Sequence, residues 1–432
     1  MPPDRRVSSR PARDAEHLLS VVEETQLAAR SLLSAAAVRE RANEILELGL
    51  SGALEHFAVD LDRLGPAADA VVETIRSNYP TLDIPFHARW RHFAAGGLDR
   101  WATLNEAIPW ADIRERARAA FDLAIVSVLL DAGAGPDWRY DEGRTGETFA
   151  RSEGLAVASF DMFVGGTFSG QPADPLRADA GTLAMLDATE LAQGFQVRID
   201  NPLVGLAGRA ELLRRLGRTV AAAPDIFARH DAPRPGSLFD HLAAQTDSET
   251  IEATAILKAL LVYLGPVWPG RLSMAGIDLG DTWRHPGVTA EDETAGLVPF
   301  HKLSQWLAYS LIEPLEAAGI RVVGLDGLTG LPEYRNGGLF LDTGVLRLRD
   351  PAAAREPQEI GSVLVVEWRA LTVALLDRLA PEIRTRLGLD AKAFPLAKVL
   401  EGGTWSTGRR LARAARPGGA PPIQVVSDGT VF

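Results

Sequence analysis

"EIGSVLVVEWRALTVALLDRLAPEIRTRLG", residues Glu359 to Gly388, decides how the chain is read. Leu364, Trp368, Leu371, Leu375 and Leu379 recur at three- and four-residue steps, which lays them along one face of a helix. Gly388 supplies a stop. Other segments repeat the pattern. "AARSLLSAAAVRERANEILELG" (Ala28 to Gly49) ends at a glycine, and "LDRLGPAADAVVETIRSNYP" has Pro66 near its start and Pro80 after its end. "IPWADIRERARAAFDLAIVSVLLDAG" turns from polar to apolar before Gly133, as a helix does on entering a core. Further helices are expected in "PLRADAGTLAMLDATELAQGF", "AGRAELLRRLGRTVAAAP", "DSETIEATAILKALLVYLG" and "FHKLSQWLAYSLIEPLEAAG". Strand candidates are few and short: "IRVVGL" (Ile320 to Leu325), "FLDTGVLRL" (Phe340 to Leu348) and "IQVVSDG" near the C-terminus. There is no β-α-β alternation and no glycine-rich phosphate loop after a strand. The expected fold is mainly α with a minor β component. A mobile arm is expected over residues 1–25, then a single helical domain over 26–432. Its lobes, about 26–230 and 231–432, would meet at the Pro- and Gly-rich "RHDAPRPGS" (Arg229 to Ser237).

Bulk properties narrow the function classes. The chain has 432 residues, 46% apolar and 24% charged, an ordinary globular composition. A formal charge of -12 disfavours general nucleic-acid binding but leaves room for a local basic pocket. There is no cysteine, so disulfides, thiolate nucleophiles and thiolate zinc sites are excluded together. The opening "MPPDRRVSSRPARDAEH" has no apolar core after it, and runs such as "AFDLAIVSVLL" are too short to span a bilayer. A cytoplasmic protein with neither membrane nor nucleic-acid partner is expected; the oligomeric state is left open. None of the 8 histidines forms an HExxH pattern, and His87 and His92 stand five apart, off a common helix face. No metal and no cofactor are expected. A GxSxG elbow is also missing.

Several stretches carry chemistry. "GLTGLPEYRNGG" (Gly327 to Gly338) reads as a glycine-flanked loop holding Glu333, Tyr334 and Arg335. "DIPFHARWRHF" (Asp83 to Phe93) interleaves His87, Arg89, Arg91 and His92 with aromatics. Its arginines either grip an anion through paired hydrogen bonds or lie solvated over buried rings. "AGPDWRYDEG" presents Trp138 and Tyr140. "LAVASFDMFVGG" places one acid, Asp161, in an apolar run, which is costly unless the acid is paired. "GPVWPGRLSMAGIDLGDTWRHPG" (Gly265 to Gly287) carries Asp281, Trp283, Arg284 and His285 on either a binding loop or a packed Ω-loop. "VPFHKLSQW" sets Phe300 and Lys302 at a helix start, and "VVEWRAL" sets Glu367 and Arg369 within an apolar helix.

"DIPFHARWRHF", "FQVRIDNPLVGLAGRAELLRRLG", "LPEYRNGGLFLDTGVL", "EWRALTVALLDRL" and "PLAKVLEGGTWSTGR" together resemble the Urc/Urg uracil-catabolism family, often labelled a domain of unknown function. The resemblance covers nearly the whole chain after the first 20 or so residues. It implies a role in a reductase-independent uracil pathway, in which a ribosylurea-type intermediate is cleaved to urea and ribose. More remotely, the order of segments is similar to that of the queuosine 5′-phosphate N-glycosylases, helical proteins related in architecture to DNA glycosylases. That likeness implies a two-lobed helical fold and an acid-Tyr-Arg motif. Here the acid is Glu333, one methylene longer than the aspartate of those enzymes. Lys302 and Glu367 match a lysine and a glutamate there.

What the resemblance implies is N-glycosidic hydrolysis of a ribosyl substrate, with or without a 5′-phosphate. Glu333 would serve at the anomeric carbon, and Asp161 or Glu367 as the partner acid. Lys302 and Arg335 would hold phosphate or departing charge. Trp138 and Phe300 would wall the site, with Tyr334, His87, Arg89, Arg91, Trp283, Arg284 and His285 as further binding residues. An amidohydrolase on a ureido intermediate, a phosphate-accepting transferase and a non-catalytic binding protein are the other classes.

Overall fold

A computed structural model describes residues 22–131, 133–228, 232–268 and 272–426. The fold is mainly α. The decisive stretch forms the Val363–Leu387 helix. Ser362 caps its start by accepting the Val365 N–H, and Gly388 ends it in the left-handed region that glycine adopts without strain. Its buried residues face every side, so this is a central core helix, not a surface one. Burying each of its large apolar side chains contributes roughly 1.5–3 kcal/mol. The Ala35–Leu50, Leu64–Asn78 and Tyr334–Asp342 helices pack on it. The Lys302–Ala317 helix lies against the Ile113–Leu129 and Ala253–Tyr263 helices. One continuous apolar core runs through all of them, from Ala35 to Ile423. No helix among the described residues is long and apolar enough to cross a membrane.

The strands are short and pair two by two. Phe57–Val59 runs antiparallel to Leu346–Leu348, and Thr250–Glu252 runs parallel to Arg321–Val323. Thr282–Arg284 pairs with Leu297–Pro299, and Gln358–Glu359 with Val425–Val426.

Four local readings change. Residues 340–342, expected as strand, complete the Tyr334–Asp342 helix; only Leu346–Leu348 of that stretch is extended, after a turn at Gly344 with φ 77°. Residues 22–31 are helical, so the helix begins by residue 22, four residues inside the span expected as a mobile arm (1–25); residues 1–21 lie outside the described residues. The expected helix 175–195 is broken in two, because Asp187 starts a second one through a capping box with Glu190. Of the expected seam, residues 229–231 lie outside the described residues. The remainder is no exposed linker: Arg234, Pro235, Gly236 and Ser237 are buried. Arg234 and the Gly236 N–H both bind Asp122 on the Ile113–Leu129 helix.

Candidate active site

Glu333 is the N-cap of the Tyr334–Asp342 helix. Its two carboxylate oxygens accept the Asn336 N–H at 2.6 Å and the Arg335 N–H at 2.7 Å. These bonds fix the carboxylate, and each oxygen keeps a lone pair for another partner. Glutamate is not among the favoured caps, since shorter side chains reach the same N–H groups. The helix axis is set by close packing. A methyl on Gly337 would come within 2.6 Å of the Trp368 indole, and one on Gly338 within 3.3 Å of Pro422. Those two glycines therefore seat a helix. They do not loosen a loop, which corrects the expectation for "GLTGLPEYRNGG".

Lys302 opens the Lys302–Ala317 helix. His301 before it is buried with φ 49°, a left-handed turn that aims the helix start. Asp281 accepts the Lys302 N–H at 3.0 Å while Arg369 of the central helix grips both its oxygens at 2.9 and 2.7 Å. Burial raises the Glu333 carboxyl above its ordinary value, although the Arg335 and Asn336 N–H groups, Lys302 and His87 pull it back in part. Burial lowers the Lys302 ammonium, against the pull of Glu333. Glu333, Lys302, Tyr334 and His87 are nonetheless each half-buried and not sealed in, and the crevice is the place where they meet.

His87 forms another wall. Its Nδ1 lies 2.7 Å from Glu401, and its backbone N–H donates to the Ala397 carbonyl. Glu401 sits in a single π-helical turn, Leu400–Thr404, a feature common at functional sites. Gly402 permits that turn, because a methyl there would lie 2.6 Å from Ile84. Trp306 lies beside His87, His92 and the Arg89 guanidinium, with ring or cation distances of 6.5, 6.0 and 5.7 Å. Arg89 pairs with Asp131 at 2.8 Å. Burial and the surrounding cations keep His92 well below its ordinary pKa, hence neutral. The Trp306 indole N–H and the Arg335 Nε have no hydrogen-bond partner among the described residues. Such orphaned donors are rare in protein interiors and mark a place for a polar ligand. Among the described residues, no three His, Asp or Glu side chains are grouped to hold a metal ion.

The structure thus brings Glu333, Tyr334, Arg335, Lys302, His87 and Arg89 together and leaves other expected residues elsewhere. Asp161 bonds Tyr140 at 2.9 Å and Arg144 at 3.3 Å, in a cluster with Glu142 and Arg100. Glu367 is 1% exposed and accepts the Glu55 and His56 N–H groups, with His285 at 3.4 Å. It ties a turn to the core. Trp138 is fully buried, donates to the Phe195 carbonyl and forms no wall of the crevice. Phe300, also fully buried, lies under Arg369. Trp283 binds Asp281, and Arg284 is exposed on its strand. Arg91 pairs with Glu313 in a separate cleft that also holds Trp90 and Trp101. Asp131, Trp306, Glu401 and Arg409 were not singled out from sequence. Glu401 and Arg409 lie in "PLAKVLEGGTWSTGR", whose glycine pair between an acid and a tryptophan was the available signal.

Fold and crevice define a helical protein built around a fixed carboxylate, a lysine and an acid-oriented histidine. The particular family follows from comparison. A family model described as "Protein of unknown function (DUF1688)" matches residues 31–432, and the chain belongs to that family. It is 40% identical to "Protein urg3" of Schizosaccharomyces pombe over 411 residues, 93% of this chain and 98% of that protein. It is 37% identical to "Uracil catabolism protein 4" of Lachancea kluyveri over 433 aligned positions, 92% of this chain and 98% of that one.

Proposed function

We propose that this protein acts in uracil catabolism as an N-glycosidase. In this reading it hydrolyses the ribosyl C–N bond of a ribosylurea-type intermediate and releases urea. The name of the Lachancea relative supports the pathway. The observation that carries the chemistry is the Glu333 carboxylate, fixed by two backbone N–H groups in the field of Lys302 and His87.

The C–N bond breaks with its electron pair going to the urea nitrogen, and positive charge develops on the sugar. Ionised Glu333 stabilises that charge at the anomeric carbon. His87, protonated and oriented by Glu401, gives its Nε2 proton to the leaving nitrogen in place of Asp161 or Glu367. Water then adds to the anomeric carbon and its proton passes to Glu333. Water plus the ribosylurea gives the sugar plus urea, so atoms and charge balance. The proton then returns from Glu333 to His87 through water, which closes the cycle, and the Lys302 charge favours the ionised Glu333 so restored.

The test is incubation with ribosylurea and with its 5′-phosphate, read by mass spectrometry. The wild-type protein releases urea from at least one of them. Glu333→Gln folds but loses urea release by about 10³-fold or more. Turnover retained in Glu333→Gln removes this residue from the mechanism. Absence of urea from both substrates removes the reading.

A further inference from the structure

Next to Glu333 and Tyr334 lies charge that the mechanism above does not use. Arg335 is 6% exposed, and its guanidinium lies 4.7 Å from the Tyr334 ring centre. It donates to the Gly419 carbonyl at 2.8 Å, and its Nε finds no partner. Arg409, on the Trp405–Ala415 helix, lies over Trp405 and also has an orphaned Nε. Its one carboxylate, Glu153, is 3.7 Å away. Arg151 and Arg413 are exposed and make no ion pair with any described residue, and their charges and that of Arg335 all bear on Arg409.

Packing forces this convergence. The Tyr334–Asp342 and Trp405–Ala415 helices meet where Gly408 faces the Arg335 carbonyl, and no side chain would fit between. Four guanidinium groups against one carboxylate are unusual in a chain of formal charge -12. Like charges held this close repel, and an anion relieves the repulsion. Arginine matches phosphate geometry with paired hydrogen bonds.

We propose that this cluster is a phosphate-monoester subsite, so that the sugar enters the crevice as its 5′-phosphate. This rests on the reading of Glu333 as the group at the anomeric carbon. It also separates an ester from free phosphate acting as the attacking group. Free phosphate would have to stand at the anomeric carbon beside the Glu333 carboxylate, anion against anion. Arg151 and Arg413 are instead solvent-exposed, and the proposal seats the far end of the sugar toward them.

Calorimetric titration with ribose 5-phosphate, ribose and inorganic phosphate tests the subsite without turnover. Ribose 5-phosphate is expected to bind at least tenfold tighter than either of the others. Arg409→Gln should remove that preference. Arg151→Gln, at an exposed position with little risk to folding, should weaken it several-fold, and thermal unfolding checks that both variants fold. Equal binding of ribose and its phosphate, or an unchanged preference in both variants, overturns the subsite. Inorganic phosphate binding as tightly as the ester overturns the ester assignment. Glu333→Gln should still bind ribose 5-phosphate, so failure of the glycosidase reading leaves this result standing. Conversely, equal turnover of ribosylurea and its 5′-phosphate overturns the subsite and leaves the glycosidase reading intact.

Discussion

Asp122 and Glu333 are both carboxylates held by backbone N–H groups inside the protein, and they are finished differently. Asp122 is fully buried and accepts from Gly236, Ala178 and the Arg234 guanidinium. Arg234 reaches on to Glu115, which also binds Arg118, which in turn binds Asp240. Each charge there is answered by another. Glu333 has its two N–H bonds and lies in the field of Lys302 and His87, beside the Arg335 Nε and the Trp306 indole N–H, which have no partner among the described residues. A closed network joins parts of a fold. An open one, with accessible surface, is arranged for something that is not yet there.

The largest expected effect sharpens this contrast on the closed side. Arg234→Met leaves Asp122 buried without its cation, which costs about 3–5 kcal/mol of stability. Urea denaturation of the variant measures it. Activity per folded molecule should be unchanged, since Arg234 touches nothing in the crevice. A variant that keeps its stability would show the network to be incidental; one that folds but loses turnover would erase the distinction between the two regions.

On the open side the corresponding change is smaller in free energy. Glu401→Gln keeps a hydrogen-bond acceptor for His87 but removes the negative charge that orients it. Turnover should fall about 10- to 100-fold, or about 1.4–2.7 kcal/mol. Stability should change little. A purely structural Glu401 would show the reverse: lower stability and unchanged turnover per folded molecule.

Much of this was readable in advance, and what was not has physical causes. The helical spacing at Leu364, Trp368 and Leu371 fixed the central helix, because periodicity is a local property. Glu333, Lys302 and His87 were identifiable as candidates, yet their meeting was not, because it depends on Asp281 and Arg369 seating one helix and on Gly337 seating another. Asp161 looked like a catalytic acid because an acid in an apolar run is costly, and Glu367 because the resemblance matched it to a glutamate. The cost is real and is met by Tyr140 and Arg144 in one case and by two backbone N–H groups in the other. Sequence shows that a buried charge needs a partner; only the fold shows whether the partner is already present.

The smallest effect is a dependence on pH, and its sign is fixed by the same contrast. The Glu333 pKa is raised in the folded protein, chiefly by burial. Its protonated form is therefore favoured by folding, and that contribution is complete below the unfolded-state pKa and lost as pH rises through the folded-state pKa. The proposed mechanism asks for the opposite, since it uses the ionised carboxylate. Stability should thus decline slightly with rising pH just above the ordinary carboxylate range, over the same interval in which kcat/KM climbs. Lys302, lowered by burial, brings the alkaline limb of the rate profile below the ordinary lysine range. Urea denaturation across a pH series, for the wild-type protein and Glu333→Gln, isolates the term. The wild-type curve should fall relative to the variant's as pH rises through that interval. Parallel curves would mean that Glu333 carries no ionisation cost, and the open and closed carboxylates would then differ in accessibility alone.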